Sequence, residues 1–91
     1  MLAEVDFANF KVWKRLYQHR TAVTMFLVYD AILTLESAEI LDIVTHIRID
    51  KRLTKHALYK LLDLGKIKSR KEGIKIYYSQ NIKQNDSYHK N

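Results

Sequence analysis

Apolar positions along the chain fall into four stretches with helical spacing, followed by one stretch that alternates. Val5, Val12, Trp13, Leu16 and Tyr17 share one face of a helix across 1–20, with Lys11, Lys14 and Arg15 elsewhere on it. His19-Arg20-Thr21 is a polar break, and Thr21 suits the N-cap of the next element. Residues 22–35, AVTMFLVYDAILTL, are apolar at eleven of fourteen positions. A surface helix carries one apolar stripe rather than an apolar girth, so this helix needs covering on two sides, by the first helix or by a second subunit. Ser37 offers the next N-cap, with Glu39 in the first turn where the helix dipole favours an anion. Ile40, Leu41, Ile43, Val44 and Ile47 then give a short helix with an apolar face. Arg48-Ile49-Asp50 interrupts it. Asp50 is a good N-cap for a helix over 51–64, in which Thr54, Ala57, Leu58, Leu61 and Leu62 lie to one side. Gly65 closes that helix, as the left-handed C′ position prefers.

After Gly65 the period becomes two. Ile67-Lys68-Ser69-Arg70 and Ile74-Lys75-Ile76-Tyr77-Tyr78 read as half-buried strands, joined at Lys71-Glu72-Gly73 in a hairpin. Tyr77 and Tyr78 point to opposite faces of a regular strand, so one of them belongs to the core. The expected fold is mainly α with a small β-hairpin, an α+β class. Residues 1–79 form one domain, with N-terminal helices over 1–35, a helical pair over 37–64 and the hairpin over 66–79. A flexible polar tail follows over 80–91, with Ile82 and Tyr88 as weak anchors.

Composition narrows the function. The chain has 91 residues, no Cys, no Pro and two Gly. This excludes disulfides, cysteine nucleophiles, thiolate metal sites and a glycine-rich phosphate loop. His19, His46, His56 and His89 lie in separate segments without metal-ligand spacing, and no nucleophile–base pair is suggested. No enzyme, metal site or cofactor is expected. The first twenty residues mix charges through their apolar positions, unlike a secretory signal, and no stretch is long enough to span a bilayer. A cytoplasmic protein with no membrane partner is expected.

Net charge is +6, and it is unevenly divided. Residues 1–47 carry four basic against six acidic side chains, while residues 48–91 carry twelve against four. One strongly basic half on a small domain is the footprint of a polyanion binder, although a lysine-rich surface also serves solubility.

The order from residue 40 onward resembles a winged helix-turn-helix domain, across positions 40–78. Ile43-Val44-Thr45-His46-Ile47-Arg48-Ile49-Asp50 is similar to the family's second helix, turn and cap. Leu58, Leu61, Leu62, Gly65 and Ile67 match the close of its recognition helix and the opening of its wing. The wing, KIKSRKEGIKIYY, looks like those of small bacterial and archaeal regulators and of archaeal viruses. Arg48 departs from the family, which has a positive-φ glycine at that position. Either the turn differs here or strain of about 1 kcal/mol is accepted.

The resemblance implies that the helix capped by Asp50 enters the major groove of double-stranded DNA. The candidate residues on that helix are Lys51, Arg52, Lys55, His56 and Tyr59. Arg52 suits a bidentate contact to guanine, and Lys55 suits either a base or a phosphate. Lys51 and the first-turn amides suit a phosphate, and Tyr59 a phosphate or sugar. In the wing, Lys68, Arg70, Lys71 and Lys75 are spaced to follow the backbone or minor groove, with Arg70 to Gly73 as the tip. Winged-helix regulators commonly act as homodimers on palindromes. Phe10, Trp13, Tyr17, Phe26 and Tyr29 offer apolar surface for a second copy, and the alternative is that the first helix covers the second within one chain. The expected function is a sequence-specific transcriptional regulator, a repressor by default. No ligand-binding domain is expected, so an effector would act at the dimer interface or through a protein partner. The rival readings are a winged-helix protein-interaction module and a non-specific or origin-binding DNA protein.

Overall fold

The computed structural model describes residues 3–82, with side chains described from Phe10 onward. Helix α1 spans Ala3–Leu16, α2 His19–Leu35, α3 Ile40–Ile47 and α4 Lys51–Asp63. An antiparallel hairpin follows, of β1 (Ile67–Glu72) and β2 (Lys75–Gln80). The fold is therefore mainly helical with one two-stranded hairpin, an α+β class. Among the described residues no helix is long and apolar enough to cross a membrane.

The apolar girth of α2 makes it the central element, packed against α1, α3, α4 and β2. Met25, Val28, Ala31 and Ile32 are fully buried. Helix α2 begins three residues earlier than a Thr21 cap would set it. Gln18 is its N-cap, no side chain bonds the free amides, and Thr21 lies inside the helix. A missing cap costs about 1 kcal/mol. Burying one side chain such as Met25 or Ile32 contributes about 1.5–3 kcal/mol. Burial, rather than capping, fixes where α2 lies.

Helix α1 covers one side of α2 through aromatic pairs. Trp13 meets Tyr29 edge-on at 5.9 Å, and Phe10 meets Phe26 at 5.2 Å. Trp13 and Tyr29 are thereby buried within one protomer. This corrects their expected place in a dimer surface: covering α2 intramolecularly leaves neither ring for a second copy. Phe10, Tyr17 and Phe26 are half-buried against the same core. Val5 is among the side chains not described, while Val12 and Leu16 are exposed.

Between α2 and α3 the chain makes a tight turn. Glu36 has φ 69° and ψ −42°, and the Ser37 amide donates to the Leu35 carbonyl at 2.8 Å, the geometry of a strained γ-turn. Ser37 is therefore not a cap. Glu39 takes that role in a capping box. Its side chain accepts from the amide of Asp42, and Asp42 Oδ2 accepts from the Glu39 amide at 3.1 Å. The intervening Ala38 is buried and pairs with Tyr78 through two backbone bonds of 2.8 and 3.1 Å. That bridge ties the start of α3 to the hairpin. Within α3, Ile43 is buried and Leu41 is 58% exposed, so the apolar face is narrower than its sequence suggests.

Arg48 ends α3 at φ 58° and ψ 43°. A non-glycine residue thus holds the left-handed conformation, and the strain is accepted rather than avoided. Helix α4 has the ends its sequence predicts. Asp50 Oδ2 accepts from the amides of Arg52 (3.0 Å) and Leu53 (3.3 Å). At the other end Gly65, at φ 75°, donates to the Leu62 carbonyl and Lys66 to the Leu61 carbonyl, a Schellman closure. Thr54, Ala57, Leu58 and Leu61 are buried, with Leu62 packed beside them.

The hairpin differs from its prediction at the tip. Lys71 and Glu72 belong to β1, Glu72 pairs with Lys75, and the turn is Gly73-Ile74 alone. Gly73, at φ 67°, takes the leading position of a two-residue turn, where positive φ matches the twist of the strands. Besides the Ala38–Tyr78 bridge, the base of the hairpin is anchored. Ile67 is buried, Gln80 donates to the Tyr29 hydroxyl at 3.3 Å, and Asn81 donates to the carbonyls of Gly65 and Lys66. Gln80 and Asn81 are therefore structural rather than the start of a tail. Ile82 is 49% exposed, and residues 83–91, including Tyr88, lie outside the described residues.

Candidate nucleic-acid interface

All five candidate side chains of α4 are exposed: Lys51, Arg52, Lys55, His56 and Tyr59. They follow from the same helical period that buries Thr54, Ala57, Leu58 and Leu61 on the opposite side. They do not all face one way. Lys51, Lys55 and Tyr59, four apart, border a cleft of about 500 Å³ between α4 and the hairpin. Its other walls are Ile40, Tyr78 and the hairpin residues Ile74, Lys75 and Ile76, with Glu39 at the edge. His56 borders a separate hollow with Gln18, Arg20 and Thr21 at the start of α2. By the helical period Arg52 falls between these two groups, opposite the buried stripe of α4.

The first-turn amides of α4 are less open than expected. Asp50 already occupies those of Arg52 and Leu53, and it brings a carboxylate to the site. An anion near this end of α4 would therefore meet the Lys51 ammonium, rather than a bare helix terminus.

The four hairpin cations divide by register. Lys68 and Arg70 share a face with Tyr77, while Lys71 lies on the face of Ile67, Ile76 and Tyr78. Arg70 is held in place, with its Nε 2.8 Å from Glu72 and its guanidinium 5.1 Å from the Tyr77 ring. Lys75 is the hairpin cation that borders the cleft, and it lies 3.6 Å from the Glu39 carboxylate. These are the ion pairs seen on this face. Lys51, Arg52, Lys55, Lys68 and Lys71 consequently have no carboxylate partner there. Exposed pairs such as Arg70–Glu72 contribute little and are readily exchanged for another anion.

Tyr78 is the core tyrosine of the two, packed on the apolar cluster, whereas Tyr77 is covered by Arg70. Burial pushes the Tyr78 hydroxyl above its ordinary range, and nearby Tyr59 adds to the shift. Tyr78 therefore remains a neutral donor at the floor of the cleft. No group of three or more His, Asp or Glu among the described residues could hold a metal ion.

Three features of this face escape the sequence pattern. Ile74 stands at the hairpin tip, 94% exposed. Glu39 places an acid beside Lys75. Arg20 and Thr21 border the hollow beside His56. Only the first has a local signal, since Gly73 can lead a two-residue turn and put Ile74 at its apex. The chain matches no protein-family model and no curated protein.

Proposed function

We propose that the protein is a winged helix-turn-helix protein that binds double-stranded DNA sequence-specifically and regulates transcription, by default as a repressor. In this proposal α3 and α4 are the helix-turn-helix and the β1–β2 hairpin is the wing. The observation that carries it is the set of exposed cations without carboxylate partners on two adjacent elements: Lys51, Arg52 and Lys55 on α4, Lys68 and Lys71 on the hairpin. A lysine-rich surface kept for solubility needs no such clustering, whereas a duplex needs cations spaced along two grooves.

Arg52, exposed and opposite the buried stripe of α4, is the residue for a bidentate contact to guanine in the major groove. Lys55 and Tyr59 flank it, and Lys51 takes a phosphate. Lys68 and Lys71 hold the backbone beside the wing, which positions the protein without reading sequence. A homodimer on a two-fold operator, acting in the cytoplasm, belongs to the same proposal. Its surface is the outer edge of α1 at Val12 and Leu16 rather than Trp13 and Tyr29. Sedimentation at micromolar concentration tests this, and a 10.8 kDa species would end the dimer.

Two substitutions test the base readout, on a duplex selected from a randomised pool and on a scrambled copy. Arg52→Ala should cost about 1–3 kcal/mol on the selected duplex and little on the scrambled one. Lys71→Ala should weaken both alike and lower the salt slope by about 1. Equal weakening of both duplexes by both substitutions would exclude readout through Arg52.

A further inference from the structure

Among the described residues Ile74 is the most exposed large apolar side chain, at 94%, and it occupies the second position of the two-residue turn. Nothing in the fold calls for isoleucine there. Turn positions favour Gly, Asn, Asp and Ser, which supply positive φ or local hydrogen bonds, and β-branched residues suit strands instead. A side chain so exposed contributes almost no burial, so a polar residue would hold this turn equally well. Ile76, two residues on, is also exposed, at 43%, and both border the cleft beside α4.

Cations outnumber acids around Ile74, where Arg70 engages Glu72 and Lys75 lies 3.6 Å from Glu39. Lys75 is its neighbour in the chain, and Lys71 sits across from Ile76. The tip is thus an apolar point inside a collar of ammonium groups, at the free end of a projecting hairpin. An apolar pocket on a protein would need no such collar, and a membrane surface would require a wider apolar face. The combination suits a target that is anionic outside and apolar within, which describes stacked bases behind two rows of phosphates.

We propose that Ile74 is a wedge that enters the minor groove and partly unstacks one base step, bending the duplex, while Lys71 and Lys75 hold the flanking phosphates. This rests on the DNA-binding role proposed above and adds a second source of selectivity to it. Pyrimidine–purine steps such as TpA unstack most easily, so the tip favours them without a hydrogen bond to any base. Isoleucine suits the task because its branched Cβ leaves little rotamer freedom to lose on insertion.

The test uses the full chain and a duplex of about 30 base pairs, carrying 2-aminopurine at a central TpA step and dyes at both ends. Anisotropy reports binding, 2-aminopurine fluorescence reports unstacking, and energy transfer reports bending. Wild type should bind, raise the fluorescence and shorten the end-to-end distance. Ile74→Ser should bind about tenfold more weakly and produce neither signal at saturation. Lys71→Ala should also bind more weakly, yet keep both signals at saturation. Circular dichroism should show both variants folded, since neither side chain is buried. A wild type that binds without either signal, or an Ile74→Ser variant that gives both, would overturn the wedge and leave DNA binding intact. Absence of wild-type binding at low salt would overturn both proposals, and anisotropy alone would reveal it.

Discussion

The two ends of the chain treat their conspicuous side chains in opposite ways. Around α1 and α2 the described aromatics find partners within the protomer: Trp13 on Tyr29, Phe10 on Phe26, Tyr17 beneath the Lys60 ammonium at 5.2 Å. Across α4 and the hairpin Ala57, Leu58, Leu61 and Ile67 point inward, but Ile74 and the cations opposite the buried stripe are left largely to solvent. Asp50, the acid nearest them on α4, is engaged as a helix cap, and Glu72 is engaged by Arg70. One region closes the core and the other presents charge. Substitutions in the first should therefore change stability at constant affinity, and substitutions in the second should do the reverse.

Trp13→Ala should have the largest effect. Removing a fully buried indole from the α1–α2 contact should cost about 3–5 kcal/mol, visible as a lower urea midpoint. A domain of this size has only about 5–15 kcal/mol of stability. The fraction that remains folded should bind a duplex with unchanged affinity, and a fall in that affinity would break the division between the regions.

Asp50→Ala sharpens the comparison because Asp50 belongs to both sides. Loss of its two cap bonds should cost about 1 kcal/mol of stability. The same change removes a carboxylate from beside Lys51 and Arg52, so DNA affinity should rise even as the urea midpoint falls. Opposite signs from one substitution would be hard to obtain unless this face binds an anion.

Arg48→Gly should have the smallest effect. It relieves the left-handed strain but loosens the unfolded chain, for a net stabilisation of no more than about 1 kcal/mol, read as a small rise in the urea midpoint. A loss of stability would mean that the Arg48 side chain contributes more than its backbone conformation costs.

Local chemistry made some of this architecture legible in the sequence. Asp50 and Gly65 mark both ends of α4, because a cap and a left-handed C′ act within a few residues of themselves. Whatever depends on distant pairing was hidden. Ser37 has the better cap propensity, yet Ala38 pairs with Tyr78 forty residues away and moves the start of α3 to Glu39. The start of α2 has no side-chain cap to recognise. Helical spacing showed that Trp13 and Tyr29 must be covered but not by what, and α1 does it within one chain. The candidate cations of α4 were legible because a helix that buries one stripe must expose the other. Their division between the cleft and the α2 hollow was not, since it depends on where the hairpin and α2 stand. The turn expected at Lys71-Glu72-Gly73 lies at Gly73-Ile74 instead, which moved Ile74 from a strand to the apex.

The most direct measurement is fluorescence anisotropy of the wild-type chain with two labelled duplexes, the DNA upstream of its own gene and a scrambled copy, at several salt concentrations. A sequence-specific regulator predicts a preference for the upstream duplex on the order of 10³ or more, with affinity falling steeply as salt rises. No binding to either duplex at low salt would contradict a DNA-binding role for α4 and the hairpin, and would favour a protein partner for the same face.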